Sequence, residues 1–167
     1  MLLDYNLMFS NAQLITVSAA STNTIDLSGG SGNVYGVLPT GQGFGEDIGV
    51  GDGVNTPKVF FSIITAFADC TTVQFGIQGY DDWTAPVGWT TYAASPAVAI
   101  ASLTLGAQWT IDIPRRIFGA RLPRYLRTYY TVVGGPEAHG SVTSGILLTH
   151  GVHTDAGAYP SNFVVGA

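Results

Sequence analysis

TTVQFGIQGY (Thr71–Tyr80) alternates apolar and polar side chains. Val73, Phe75 and Ile77 point one way and Thr72, Gln74, Gly76 and Gln78 the other, as in a strand lying half-buried on a core. The same two-residue rhythm runs through most of the chain. In AQWTIDIP (Ala107–Pro114), Trp109, Ile111 and Ile113 face inward while Gln108, Thr110 and Asp112 face out. SVTSGILL (Ser141–Leu148) sets Val142, Ser144, Ile146 and Leu148 on one side. PKVFFSIITAFA (Pro57–Ala68) sets Val59, Phe61, Ile63 and Phe67 on one face and Phe60 and Ile64 on the other. Shorter strands are predicted at Gln13–Ser18, Thr24–Leu27, Trp89–Tyr92 and Ala97–Ile100. No long segment carries a helical period, and there is no internal repeat. About eight strands without crossover helices predict an all-β, antiparallel sandwich or barrel.

Between the strands stand turn-forming runs: SGGSGN, GQGFGEDIGVGDG, YDDWTAPVG and VGGPEAHG. The glycine-rich stretch 28–57 is too poor in packing residues for a core element and reads as one long loop, with a short hairpin around Val34–Leu38. The organisation expected is an N-terminal segment 1–12, one domain over 13–150 that includes this loop, and a tail over 151–167. Residues Leu2, Leu3, Tyr5, Leu7 and Phe9 make the N-terminus unusually apolar. They serve either as an arm that docks on a neighbour or as a cap on the core.

Charge is scarce. Of 167 residues, 46% are apolar and only 10% charged, against about a quarter charged in ordinary domains. Such a surface fits an assembly better than a free monomer. The net charge of −5 argues against general nucleic-acid binding, which needs cations spread along a phosphate track. No basic, apolar leader opens the chain, and the longest apolar stretch, Ala97–Ala107, is too short to cross a membrane. The expectation is a soluble protein made in a cytoplasm. Cys70, the single cysteine, reads as a buried free thiol.

The cations are concentrated. Every arginine lies in PRRIFGARLPRYLRT (Pro114–Thr128): Arg115, Arg116, Arg121, Arg124 and Arg127, with Lys58 as the remaining cation. From Arg124 onward this segment is a strand. One face reads Arg124, Leu126, Thr128, Tyr130 and Val132, and the other Tyr125, Arg127, Tyr129, Thr131 and Val133. Both faces are aromatic and aliphatic, so one lines the core and the other meets something besides water. Arg124 and Arg127 point to opposite faces.

No catalytic constellation stands out. His150 and His153 would diverge on a strand, which disfavours metal binding together with Asp155. His139 belongs to a surface turn. Asp81 and Asp82 fit a strand-end turn better than acid–base work or calcium. GQGFGEDIG lacks the lysine and serine or threonine of a phosphate loop, and Ser31 lacks a nucleophile-elbow pattern. Trp109 reads as core, which leaves Trp83 and Trp89 as the pair that could form a sugar-binding platform.

MLLDYNLMFSNAQLITVSAASTNTIDLSG, DIGVGD and PRYLRTYYTVVGGPEAHGSVTSGILL, in this order and spacing, resemble the jelly-roll capsid cement proteins of short-tailed bacteriophages, of the Bordetella-phage type. The insertion GGSGNVYGVLPTGQGFGE (28–46 region) and the tail after Leu148 depart from the family and inherit nothing from it. The resemblance implies a jelly-roll-like sandwich and a non-enzymatic role without cofactor or metal. It implies a place on the outer surface of the virion head, bridging major capsid protein subunits and reinforcing the expanded shell. The protein would act as a homo-oligomer, with dimers at two-fold positions favoured over trimers at three-fold ones, and with no nucleic-acid or membrane partner. The interface expected under this resemblance comprises Arg115, Arg116, Arg121, Arg124, Tyr125, Arg127, Tyr129 and Tyr130, the guanidinium groups meeting carboxylates of a capsid or sister subunit. Some of these arginines could instead balance Asp112 or Asp26 inside the fold. A carbohydrate-binding module on the virion is the alternative function.

Overall fold

The computed structural model describes residues 7–26, 57–80, 88–114 and 125–147. Their regular structure is almost wholly strand: β1 (Met8–Leu14), β2 (Ala19–Ala20), β3 (Ile25–Asp26), β4 (Lys58–Thr65), β5 (Thr72–Tyr80), β6 (Thr90–Ala94), β7 (Val98–Ala99), β8 (Gln108–Asp112), β9 (Tyr125–Val133) and β10 (Ser141–Leu147), with one 3-10 turn after β7. A smaller sheet runs β1-β10-β4-β8. A larger one runs β2-β9-β5-β6, with β3 also on β9 and β7 also on β5. Every pairing is antiparallel.

The segments β2 and β3 lie end to end along β9, and β6 and β7 end to end along β5. Counted so, the ten segments act as eight strands. First pairs with last, second with seventh, third with sixth and fourth with fifth. That nesting is a long hairpin rolled over itself, the jelly-roll wrapping. The expected all-β, jelly-roll-like antiparallel sandwich is therefore the fold found.

The core lies where the alternation puts it. Val73, Phe75 and Ile77 of β5 meet Val59, Phe61 and Ile63 of β4, all fully buried, with Leu126 and Tyr130 from β9 and Val142 and Ile146 from β10. Phe75 is the hub. Its ring meets Trp109, Phe61 and Tyr130 at centroid distances of 4.6, 5.2 and 5.9 Å, all edge to face, the arrangement that ring quadrupoles favour.

Strand β1 departs from the expected Gln13–Ser18. It begins at Met8 and its register to β10 slips between Ser10 and Gln13. Ala12 sits there in the left-handed region with φ 47°, and its amide donates to Thr143 Oγ1 at 2.9 Å. A separate shift between Met8 and Ser10 sets an extra β1 residue against β10 and lets Phe9 and Ser10, adjacent in sequence, both bury completely. Of the two readings of the N-terminus, docking arm or core cap, Leu7 and Phe9 take the second and are not docking residues: both side chains are buried in the core. Leu2, Leu3 and Tyr5 lie outside the described residues, as do the loop over 28–56 and the tail over 151–167.

Polar side chains also enter the core. Tyr130 Oη, from the larger sheet, reaches Ser10 Oγ at 2.8 Å and Ser144 Oγ at 2.9 Å in the smaller one, and accepts from Thr128 Oγ1 at 3.1 Å. Ser10 Oγ donates on to Gln13 Oε1 at 2.7 Å. Tyr130 was expected at an interface; it is fully buried instead. The Leu126, Thr128, Tyr130 face of β9 turns inward, and the hydroxyl cluster supplies the partners that a buried phenol requires. Burial raises its pKa, with the hydroxyl partners opposing.

One end of the sandwich is held by a buried anion. Glu137, in the β9–β10 connection, is 1% exposed. Its carboxylate accepts from the amides of Ala68, Asp69 and Cys70 in the β4–β5 connection and from His139 and Gly140 in its own. Its own amide donates to Thr16 O at 2.7 Å in the β1–β2 connection. Burial alone would raise the carboxyl, but the amides of Asp69, Ala68, His139 and Cys70 overcome it and hold the pKa at about 2. Gly134, at φ +98°, turns the chain where a side chain would strike Thr71, and Gly140 passes where one would strike the Phe67 ring.

Candidate interaction surface

On β9 the residues that alternate with the core face are Tyr125, Arg127 and Tyr129. Pairing with β5 sets Tyr125 opposite Tyr80, Arg127 opposite Gln78 and Tyr129 opposite Gly76. On the other side of β5, Gln78 faces Thr91 of β6, and Trp89 lies just before that strand. These side chains therefore gather on the outer face of the larger sheet.

They form a connected cluster. Tyr80 stacks on Tyr125 at 6.0 Å and 19°, and tilts against Trp89 at 5.5 Å and 38°. The Arg127 guanidinium carbon lies 3.9 Å from the centre of the Trp89 ring and 5.8 Å from that of Tyr129. Arg127 Nε donates to Gln78 Oε1 at 2.9 Å, and Gln78 Nε2 reaches Thr91 Oγ1 at 3.4 Å. The guanidinium is held over an aromatic floor, half-buried, by a cation–π contact and one hydrogen bond. Desolvation lowers its pKa, with Tyr129 opposing. The neighbouring Gly76 carries no side chain, which keeps the floor open beside Tyr129.

Of the arginines singled out in the sequence, Arg115, Arg116, Arg121 and Arg124 lie outside the described residues. Arg127, Tyr125 and Tyr129 are brought together on one face; Tyr130 is not. Arg127 does not balance a carboxylate among the described residues. Asp112 pairs with Lys58 on the smaller sheet. Gln78, Tyr80 and Thr91 were not anticipated, although the alternation in β5 already turned Gln78 outward.

Trp89 does not present a bare platform for a sugar, since Arg127 covers one face of its ring; Trp83, Asp81 and Asp82 lie outside the described residues. The same holds for Ser31, His150, His153 and Asp155. Asp69, Glu137 and His139 bring ligand atoms within 4.8 Å of one another. Yet the Glu137 oxygens face amide donors, a field that favours an anion and opposes a cation. His139 Nδ1 lies 3.5 Å from Asp69 Oδ2, and both side chains are exposed. Cys70 is a buried free thiol. Burial, then the Glu137 carboxylate, push its pKa up to about 11, so it lacks the thiolate character of a nucleophile.

A family model described as Bbp16 matches residues 9–146, a span that takes in every described strand except the first residue of β1 and the last of β10. A search of the curated proteins found no match. The chain belongs to the Bbp16 family, a phage-associated one.

Proposed function

We propose, with membership of the Bbp16 family as the premise, that this protein is a capsid cement protein. It binds the outer surface of the icosahedral head, bridges neighbouring major capsid protein subunits and stabilises the expanded shell. It acts as a homo-oligomer, a dimer at two-fold positions in preference to a trimer, and it performs no chemistry. The observation that carries this reading is the outer face of the larger sheet. A face of tyrosine, tryptophan and arginine, with little net charge, has the composition of a protein–protein contact, where aromatic residues and arginine are enriched and lysine and glutamate depleted. The jelly-roll frame supports such a role by holding that face on paired strands rather than on a loop.

The test is reconstitution. Expanded heads lacking the protein, incubated with the purified chain and imaged by cryo-EM, should show it on the outer shell at positions that span capsid subunits. The heads should also withstand a higher temperature before releasing DNA. Density only at the tail or vertex, or no binding to heads that natural particles bind fully, would refute the proposal.

A further inference from the structure

We infer that Arg127 is a receptor for a single carboxylate, an Asp or Glu side chain of the protein on which the larger sheet docks. The inference deepens the capsid reading and takes its partner from it, but the site itself rests on geometry. Nε is committed to Gln78 and one face of the guanidinium to Trp89. The four N–H donors on the two Nη nitrogens meet no acceptor among the described residues. The carboxylates of Asp112, Glu137 and Asp69 stand elsewhere in the fold and have partners there: Asp112 with Lys58 on the other sheet, Glu137 with backbone amides, and Asp69 beside His139. A half-buried cation with no anion among the described residues is thus held over Trp89, with its Nη edge left to an incoming group.

That edge matches a carboxylate. Two parallel N–H bonds satisfy its two oxygens, whereas a phosphate would keep further charged oxygens that a second cation at the site would serve best. Lys58, the other described cation, lies on the opposite sheet beside Asp112. A polyanion would also approach a chain of net charge −5. The aromatic floor excludes water from one side of the bond, which strengthens it relative to the same pair in solvent.

The decisive experiment follows the arginine side-chain signals and the Trp89 indole of the 15N-labelled full chain during titration with sodium acetate, inorganic phosphate or sodium chloride at equal ionic strength. Acetate should move Arg127 Nε and the Trp89 indole beyond the chloride response, and Arg127→Lys should abolish that movement while keeping the charge. Gln78→Ala, which frees the guanidinium without removing it, should weaken it. No acetate-specific response, or a stronger one to phosphate, would overturn the site. On expanded heads, Arg127→Lys should bind at least about tenfold more weakly than the wild type. Heads whose carboxylates have been amidated should bind the wild type no better than they bind the variant. Equal binding of both proteins to untreated heads would also overturn the site. Failure of the wild type to bind heads at all would strike the capsid reading alone, leaving the titration to judge Arg127.

Discussion

The Glu137 staple makes a quantitative claim about acid. In the folded protein its carboxyl falls from the ordinary 4.5 to about 2. A fall of that size corresponds to about 3 kcal/mol of stability at neutral pH. Asp69 and His139 beside it are exposed, and partial hydration there brings the figure to about 2–3 kcal/mol. Because the folded value lies below the unfolded one, this contribution is complete above about pH 5 and is lost as pH falls through 4.5 towards 2. Glu137→Gln removes the charge and turns an NH2 group toward amides that need an acceptor. The variant should unfold about 5–10 °C below the wild type at pH 7. Denaturant titration of both proteins at pH 6 and pH 3 should show the gap narrowing by about 1–2 kcal/mol on acidification, as the wild type protonates. Equal stability at pH 7, or a gap that stays constant with pH, would refute the reasoning.

Two further outcomes test the interior. Tyr130→Phe leaves Ser10, Thr128 and Ser144 around a missing oxygen and should cost about 1–3 kcal/mol, read as a lower urea midpoint with an unchanged slope. Gly140→Ala drives a methyl group into the Phe67 ring, which is buried against the core; thermal unfolding should report a loss of about 1–3 kcal/mol, and a neutral result would mean that this connection yields more easily than its packing implies.

How far the sequence could be read depends on which physical signal each feature leaves. Strands β4, β5, β8 and β10 were legible because one face of each buries apolar side chains, which period two records directly. Strand β1 was not, since the register shift between Met8 and Ser10 buries two consecutive residues and the Ala12 bulge follows at once, so the alternation is erased. Tyr130 misled for a different reason. Both faces of its strand are aromatic and aliphatic, so alternation left open which one turns inward, and the hydroxyls that satisfy it come from Ser10 and Ser144, 120 and 14 residues away, partners that no local pattern announces. Alternation showed Arg127 and Tyr129 sharing one face of their strand, but not that this face is the outer one, and Gln78 and Trp89 joined them only through strand register. Glu137 resembled an ordinary turn acid, because its amide partners belong to a loop 67–69 residues earlier.

The hydroxyl cluster has a mechanical meaning. Two sheets that met only through hydrocarbon could slide past each other by swapping rotamers, since dispersion is nearly indifferent to direction. Hydrogen bonds are not. Tyr130 Oη spans the interior to β1 and β10 at once, so a shift of one sheet along the other stretches both bonds before any apolar contact is lost. The pin stands near the chain's first and last core strands, which are partners in the smaller sheet. A tangential load on either face would therefore meet a fixed point in the middle of the sandwich, and the domain would yield by rupture rather than by creep.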